Sequence, residues 1–376
     1  MKKQCIFFVG VGKLGSQILD LLLRVPGDRR FLVGGRHPEA LRQRVNLSFL
    51  AAVQLGYTPE VECIPLDLNN IERTAESLAH FRPDLIVCAA TLQSSHGMQG
   101  LPSSFLEQLA RAPMGPRIPL HLTLVYKLMQ AVHLAGVQHT TQVLNAILPD
   151  IVHPILDKVN LAPTTGIGDL ANNIPALRLS LAWKLGVSVD QVEVRLVMAR
   201  WVSYWMSRQN MGTAPFHLTV LVEGEDWTHR IDHKHVFEML PLKWKRLGGD
   251  PGLLMTATSA AVVFSALVGN QRIITHVPGP HGLPGGYPVQ VDARGVKVAL
   301  PPDLSLEAAK KINEAGLCLD GIEHIDENGT VFFTEEAISI YQTLLGYDCR
   351  SLSLGNMEGR AKELQDRYER VKLDKR

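Results

Sequence analysis

The sequence lacks a strong charge of either sign, and this limits the partners that it can have. Its 376 residues carry a formal net charge of +1 at pH 7, and 20% of them are charged. Nucleic acids and anionic membrane surfaces attract proteins with an excess of Lys and Arg. We therefore predict no nucleic-acid partner and no membrane surface as partner.

Cysteine is scarce and long hydrophobic runs are missing. The five cysteines are far apart and show no metal-ligand spacing, which is typical of the reduced thiols of a cytoplasmic protein and predicts no metal site. No apolar stretch reaches about 18 residues without a charge or a breaker, so no membrane span is expected. The apolar run after Lys2-Lys3 continues into a glycine motif, which argues against a signal peptide. Histidines 229, 233 and 235 surround Asp232, and we interpret that segment as a solvated charged turn.

A strand, a glycine-rich turn and a helix follow one another at the start of the chain. The strand is Cys5–Val9, the turn reads Gly10-Val11-Gly12-Lys13-Leu14-Gly15, and apolar residues then recur at helical spacing. This is the context that a dinucleotide fingerprint requires. Gly10 permits the tight turn, Gly12 lets a pyrophosphate approach, and Gly15 lets the helix pack on the strand. We predict cofactor contacts from Gly10, Gly12, Lys13, Leu14 and Gly15.

The end of the second predicted strand, 31–35, indicates which dinucleotide is bound. An acidic residue there holds the ribose 2′-hydroxyl of NAD. This chain has Arg36 and His37 instead, and a guanidinium at this place can hold a 2′-phosphate. The sequence therefore favours NADP. NAD stays possible if Arg36 is only a solvated arginine at the end of the strand.

Further strands alternate with helices, which predicts a doubly wound parallel sheet, that is, a Rossmann α/β domain. The strands are expected at 61–67, 84–90 and 142–147, and helices at 71–81 and 120–134. Asp67, Ala89, Ala90, Thr91 and Asn145 then lie at the carboxyl ends of strands, where we place the cofactor. The segment 92–117 is rich in Gly, Pro and polar residues and is interpreted as a lid.

The second half has a different pattern. Its strands alternate apolar and polar residues, as strands with one solvent-exposed face do, and together with its helices they predict an α+β domain. We assign residues 1–150 to the nucleotide-binding domain, 151–350 to a substrate or dimerisation domain, and 351–376 to a charged C-terminal helix. That helix carries an apolar stripe formed by Met357, Ala361, Leu364, Tyr368 and Val371. The stripe is expected to dock on the domain or on a sister subunit. Because of the second alternative, a homodimer is a reasonable expectation.

The order of these motifs resembles that of the lactate/malate dehydrogenase superfamily. The fingerprint fits, and Asn145 with Pro149-Asp150 resembles the family's Asn-Pro segment under the nicotinamide. The runs 172–178 and 182–187 resemble its catalytic helix, and 258–261 resembles its Ser-Ala-rich helix. The resemblance spans about residues 5–315 and implies hydride transfer between a nicotinamide and a small substrate.

The catalytic positions of that family are occupied differently here. The position of the Asp that orients the catalytic His holds Asn173, the carboxylate-anchoring Arg position holds Ala176, and the His position falls on Arg200 or Trp201. An Asn cannot raise the pKa of an imidazole as a carboxylate does, and an Arg does not act as a base.

Four residues are the remaining candidates for catalysis. Arg117 falls where the family's carbonyl-polarising Arg would lie, or it caps a helix. Arg178 or Arg200 would bind an acidic group, although Arg178 can also face solvent, and Asn145 would lie beside the nicotinamide. The proton donor stays unassigned.

The sequence therefore predicts an NADP-dependent oxidoreductase that acts on a carbonyl or imine of a small acidic metabolite. Two alternatives stay open. One is a saccharopine- or opine-type oxidoreductase, suggested by Asp67-Leu68-Asn69 and Arg82-Pro83-Asp84. The other is a catalytically silent NADP(H)-binding sensor or assembly protein.

Overall fold

The computed structural model describes residues 3–93, 98–208, 214–269 and 271–373. Its largest sheet has six strands in the spatial order β3-β2-β1-β4-β5-β6, and every neighbouring pair is parallel. The strands are β1 (Gln4–Val9), β2 (Arg29–Gly35), β3 (Glu60–Pro65), β4 (Leu85–Cys88), β5 (Gln142–Asn145) and β6 (Thr165–Gly166). The strand order reverses between β1 and β4, which is the switch point at which such sheets bind ligands. The predicted Rossmann sheet is confirmed.

Both faces of this sheet are covered, which explains its nearly continuous apolar strands. In β1, Phe7 and Val9 belong to one core cluster, whereas Ile6 and Phe8 belong to another on the opposite face. Helices α1 (Lys13–Leu22), α2 (Pro38–Gln54), α3 (Ile71–Phe81) and Ile118–Leu134 connect the strands.

The rest of the described chain forms three small antiparallel sheets and further helices. The sheets are Val192–Val197 with His217–Val222 and Glu225–Asp226, Ile273–Pro278 with Gly286–Asp292 and Gly295–Val298, and Ile322–Ile325 with Val331–Phe333 and Ser351–Leu352. The helices are Ser103–Arg111, Pro149–Asp157, Ile174–Leu185, Arg200–Met206, His233–Lys243, Gly249–Val268, Leu306–Leu319, Glu335–Leu345 and Met357–Leu373. The α+β character of the second half is confirmed.

Residues 276–288 are rich in Gly and Pro, yet their ends belong to two paired strands, with His276 opposite Pro288. One segment differs from its sequence interpretation. The segment around Asp232 looked like a charged turn, but Asp232 caps the helix His233–Lys243 by accepting a hydrogen bond from the main-chain N–H of His235. A short acidic side chain at this position is a common helix start.

The C-terminal helix Met357–Leu373 packs against the first half of the chain. Its residues Met357, Ala361, Leu364 and Tyr368 are buried in the same core cluster as Phe7. The predicted lid also belongs to this cluster through Leu101, Phe105 and Leu109, apart from residues 94–97, which lie outside the described residues. Instead of a free lid, residues 101–109 form a packed layer under the C-terminal helix. The predicted domain limits stay a prediction.

One helix among the described residues, Gly249–Val268, is long and apolar enough to cross a membrane, with a mean hydropathy of 1.7. A core helix of a soluble protein passes the same test. Here Ala257, Ala260, Val263 and Phe264 are buried in the core cluster that also contains Ile6. The helix therefore has one face in the core, while Leu254 and Val262 are exposed.

Candidate active site

The glycine turn after β1 has the shape that a dinucleotide site needs. Gly10 has a φ of +96°, and a side chain there would lie 2.5 Å from the main chain of Ala89 and Ala90. A Cβ on Gly15 would lie 1.7 Å from the carbonyl oxygen of Gly10. A Cβ on Gly12, in contrast, would meet nothing within 4 Å. The turn therefore closes on β4 below and leaves open space at the N-terminus of α1, where a pyrophosphate fits.

The side chains predicted around the cofactor lie near this edge of the sheet. Arg36 and His37 are exposed directly after β2, and Arg36 has no hydrogen-bond or ion-pair partner in the part of the chain that the structure describes. Lys13 forms an ion pair with Asp250, and Leu14 is half-buried. Asp67 is exposed, and its Oδ1 accepts hydrogen bonds from the main chain and side chain of Asn69, each 3.0 Å long.

Thr91 and His121 form a polar contact just beyond β4. The Thr91 hydroxyl donates to the carbonyl oxygen of Leu120 at 3.0 Å, so that it accepts from Nδ1 of His121 at 3.2 Å. Nε2 of His121 is then an acceptor, and it is buried without a hydrogen-bond partner among the described residues. Burial, with the charges of Arg117 and Arg200, lowers the pKa of His121 to about 3, so the imidazole is neutral.

A cavity of about 300 Å³ opens at the same edge of the sheet. Its walls come from the 3₁₀ turn Asp169–Asn173 after β6, from the helix Arg200–Met206, and from the first turns of the helix Gly249–Val268. The ion pair between Lys13 and Asp250 joins this last helix to the fingerprint helix α1. This ion pair places the start of the helix that lines the cavity beside the helix that follows the glycine turn.

Two arginines in the cavity wall have no carboxylate partner among the described residues. Arg246 donates to the main-chain oxygen of Asn172 and to Oδ1 of Asn173. Arg208 lies 3.7 Å from the ring centre of Tyr204 and donates to its carbonyl oxygen at 2.6 Å. Burial, and then the charge of Arg208, lowers the pKa of Arg246. Two adjacent guanidinium charges without counterions make this wall a candidate binding place for an anion.

Arg200 also lines the cavity, but its charge is compensated. Its Nε and Nη2 bind the two oxygens of Asp320 at 2.7 and 2.6 Å. Oδ1 of Asp320 accepts a further hydrogen bond from the main-chain N–H of Met114 at 2.8 Å. Although burial disfavours its charged form, the carboxylate of Asp320 raises the pKa of Arg200 above its usual value. Arg200 is therefore a fixed cation within an ion pair and a poorer anchor for a substrate anion than Arg246.

Two further carboxyl groups, those of Asp150 and Asp169, lie beside this ion pair. Asp150 is fully buried, and neither of its oxygens has a side-chain hydrogen-bond donor among the described residues, while the main-chain N–H of Arg200 acts on it as a donor. Burial and the neighbouring Asp169 raise its pKa well above the usual value, while Arg200 lowers it. Asp169 lines the cavity, and burial raises its pKa to about 6 against the opposing effect of Arg200.

The other predicted catalytic residues lie outside the cavity wall. Nδ2 of Asn145 donates to the oxygen of Ile147 at 2.9 Å and to Nε2 of His153 at 3.1 Å, while its Oδ1 accepts from the N–H of Ile147 at 3.0 Å. Arg178 donates to the carbonyl oxygens of Val192 and Val189 at 2.7 and 2.8 Å. These side chains hold main-chain segments in place.

Arg117 is buried next to the C-terminal segment. Its Nη2 donates to the main-chain oxygen of Leu109 at 3.4 Å, and its Nε has no hydrogen-bond partner among the described residues. Burial raises the pKa of Tyr341 and Tyr368, and the charge of Arg117 lowers both values by a smaller amount. Arg117 is absent from the cavity wall. The structure thus brings Arg200, but not Arg117, Asn145 or Arg178, to the cavity.

The sequence analysis missed five residues of the site: Asp150 and Asp169, Arg208 and Arg246, and Asp320. Asp150 had been noted only within the Asn-Pro segment. The others lie in turns or at helix ends with no motif around them. Only Asp169, three residues after the short strand β6 at the carboxyl edge of the sheet, carried a local signal that strand-end reasoning could have found.

The architecture is that of the lactate and malate dehydrogenases. Lactate dehydrogenase from Eimeria maxima with NADH and oxamate matches with a TM-score of 0.55, 14% identity, and 84% of this chain and 92% of that chain covered. Lactate dehydrogenase from Cryptosporidium parvum, with lactic acid and nicotinamide adenine dinucleotide, has a TM-score of 0.54, 14% identity, and 85% and 99% covered. The apo malate dehydrogenase of Picrophilus torridus has a TM-score of 0.51 and 13% identity, with 98% and 99% covered.

These likenesses establish a diverged fold of the lactate/malate dehydrogenase type. No family model matches the sequence, and no curated protein matches it. Among the described residues, no group of three or more His, Cys, Asp or Glu could hold a metal ion.

Proposed function

We propose that this protein is an NADP-dependent oxidoreductase that transfers a hydride to or from a carbonyl or imine carbon of a small acidic metabolite. The observation that carries the proposal is the shared edge of the sheet. The open glycine turn and the cavity with two uncompensated arginines lie side by side there.

The glycine turn supports the dinucleotide part of the proposal. Open space above Gly12 and the free N–H groups at the start of α1 suit a pyrophosphate. A bound nicotinamide cofactor supplies or accepts the hydride, whereas the protein binds and orients both reactants. The structural neighbours from Eimeria maxima and Cryptosporidium parvum bind NADH or nicotinamide adenine dinucleotide, which agrees with a cofactor of this kind.

The cavity supports the acidic substrate. The guanidinium of Arg246 is held by two oxygens of Asn172 and Asn173, neither of which is charged. Its positive charge is therefore left for a ligand, and Arg208 adds a second. The neighbours' ligands oxamate and lactic acid are small carboxylates, the class that such a wall would hold.

The preference for NADP rests on Arg36. It is exposed and unpaired among the described residues at the end of β2, and the carboxylate that would repel a 2′-phosphate is absent there. We expect the 2′-phosphate of NADPH to bind the guanidinium of Arg36.

The first test is a fluorescence titration of the purified protein with NADPH and, separately, with NADH. We expect NADPH to bind more tightly. Arg36→Asp should weaken NADPH binding by about 2 kcal/mol, or roughly 30-fold in Kd, because a charge-assisted contact is replaced by repulsion.

Arg350→Asp is the matched control, since Arg350 is an exposed arginine that pairs with Glu335 in the C-terminal part of the chain. Equal NADPH affinity of Arg36→Asp and the parent would exclude the phosphate contact. Binding of neither cofactor would contradict the enzyme proposal. Turnover of keto acids with and without added amines then separates carbonyl reduction from imine reduction.

A further inference from the structure

The site lacks an assigned proton donor, and the two carboxyl groups beside the cavity fill this role. We propose that Asp169, in contact with the buried Asp150, gives the proton to the substrate and takes it back in the reverse reaction. The inference rests on the proposed function, because a proton is needed wherever a hydride converts a carbonyl or imine into a hydroxyl or amine.

The first argument is that Asp150 is buried and that, among the described residues, no side chain donates to it, the main-chain N–H of Arg200 being the donor that acts on it. Both of its oxygens are buried, its side chain is fully buried, and the neighbouring carboxyl group of Asp169 is itself an acceptor when ionised. The contact between these two carboxyl groups becomes a hydrogen bond only when one of them holds a proton. Two carboxylates that share a site of low dielectric constant do not both ionise readily. The pair is therefore built to keep a proton.

The charges around the pair lead to the same result. Arg200 is the cation that acts on both carboxyl groups, and it is already bound by two contacts to Asp320. Asp320 adds a third carboxylate, which disfavours ionisation of Asp150 and Asp169. The hydroxyl of Tyr287 is the further titratable group that interacts with Asp150. With Arg200 and Asp320 as an ion pair, no second cation in the described part of the chain neutralises the remaining two acids.

The position of Asp169 connects this proton to the cavity. Asp169 lines the cavity wall, while Asp150 lies behind it with no exposed surface. Asp169 adopts a φ of +47°, after Gly168 with a φ of +90°. The N–H of Gly168 donates to Oγ of Ser259 at 3.1 Å, which fixes the turn. A non-glycine residue in this backbone region is strained, and such strain is common where a side chain must be held in one direction.

The proposed step balances in both directions. During reduction the carbonyl carbon receives a hydride, the π electron pair of the C=O bond moves to oxygen, and this oxygen takes the proton of Asp169. Asp169 remains as a carboxylate, and it regains a proton from Asp150 across their contact. During oxidation the substrate hydroxyl gives its proton to the carboxylate of Asp169 as the hydride leaves its carbon.

The first experiment detects the stored proton without any turnover. Infrared spectra of the full-length protein at pH 7 should contain a C=O band of a protonated carboxyl group, and Asp150→Asn and Asp169→Asn should each remove or shift it. Asp326→Asn, which changes an exposed carboxylate in a turn, should leave the band unchanged. A parent spectrum without the band, or a band that both variants leave unchanged, would overturn the proposal.

The second experiment tests whether binding of a ligand in the cavity changes the protonation of Asp169. Calorimetric titrations of oxamate in buffers of different ionisation enthalpy, with saturating cofactor, measure the protons taken up on binding. At pH 8 we expect uptake of up to one proton per oxamate for the parent and for Asp326→Asn, and no uptake for Asp169→Asn. The same uptake in Asp169→Asn as in the parent would overturn the role of Asp169.

The two proposals fail separately in these experiments. A parent that binds neither NADPH, NADH nor oxamate contradicts the proposed function, and the proton-transfer role then fails with it. A parent that binds cofactor and oxamate but shows no carboxyl band, or no proton uptake that depends on Asp169, contradicts the proton-transfer role alone.

Discussion

At the scale of single residues, Asn173 illustrates how this site differs from a dehydrogenase with an Asp–His pair. Its Nδ2 donates to the main-chain oxygen and the hydroxyl of Ser203 at 2.6 and 3.0 Å, and its Oδ1 accepts from Arg246. A carboxylate could not donate to the oxygen of Ser203, and it would compensate the charge of Arg246. The amide therefore positions Arg246 and leaves its charge for a ligand.

We predict that Arg246→Gln weakens oxamate binding by about 2 kcal/mol, roughly 30-fold in Kd, because a charge-assisted contact with the carboxylate is lost. Calorimetry with saturating cofactor measures this effect. Arg178→Gln is the control, since the guanidinium of Arg178 is bound to two main-chain oxygens away from the cavity wall. An unchanged oxamate affinity in Arg246→Gln would remove Arg246 from the substrate site.

These residues also show which part of the site the sequence could predict. The roles of Gly10, Gly12 and Gly15 depend on a few consecutive residues, so a motif reveals them. Arg246 precedes one helix and Asp320 follows another, and only the folded chain brings Arg246 to the cavity wall and Asp320 to Arg200. For such residues a single sequence carries no periodicity or spacing that could be read.

At the scale of secondary structure, prediction succeeded where caps and an amphipathic pattern agree. The helix predicted at 71–81 spans Ile71–Phe81 in the structure. Asn70 caps its start, since its side chain accepts a hydrogen bond from the main-chain N–H of Arg73. The helix His233–Lys243 was missed because its first residues are charged or imidazole-bearing and Pro241 interrupts its pattern.

The C-terminal helix shows a contact that its sequence predicted only as one of two alternatives. Tyr368 packs edge-on against Phe105 with the ring centres 6.4 Å apart, and Lys127 forms an ion pair with Glu358 at 2.9 Å. The apolar stripe therefore docks on the chain itself. Its pattern indicated a buried face but not the surface that covers it.

We predict that Leu364→Ala lowers the free energy of unfolding by about 3 kcal/mol, because Leu364 is fully buried in this contact. Urea denaturation followed by circular dichroism measures the change. Lys362→Ala, on the exposed face of the same helix, should change the free energy by less than about 0.5 kcal/mol. A similar small effect of Leu364→Ala would mean that the stripe does not stabilise the fold.

At the scale of the whole molecule, the two halves of the chain are joined through shared cores. Strand β1 contributes to both main clusters, and the C-terminal residues Tyr341 and Leu364 share one of them with Phe7. The sequence predicted the parallel sheet because each strand follows its neighbours in a regular alternation with helices. It left open whether the C-terminal helix docks on the chain itself or on a sister subunit, since the contact joins segments far apart in the chain.

Buried titratable groups make the stability of the whole molecule depend on pH, and they act in opposite directions. Burial lowers the pKa of His153 to about 4 and those of His121 and His276 to about 3. The unfolded chain binds protons at these residues below about pH 6.5, and the folded chain does not. Their contribution to stability is therefore present above pH 6.5 and is lost as the pH falls towards 4. Asp169 has a raised pKa of about 6, so its contribution is present below about pH 3.8 and is lost as the pH rises through 6.

This opposition predicts the effect of removing Asp169 on the pH profile. Between pH 6 and pH 4 the protonation of Asp169 offsets part of the loss caused by the three histidines. In Asp169→Asn the offset is absent, so the free energy of unfolding should fall more steeply on acidification, by up to about 1.4 kcal/mol per pH unit. Urea denaturation of parent and variant at half-unit steps from pH 4 to pH 7 measures both slopes, with Asp326→Asn as the control that follows the parent. Parallel curves for Asp169→Asn and the parent would mean that Asp169 titrates alike in the folded and unfolded chains, and would remove the stored proton from the site.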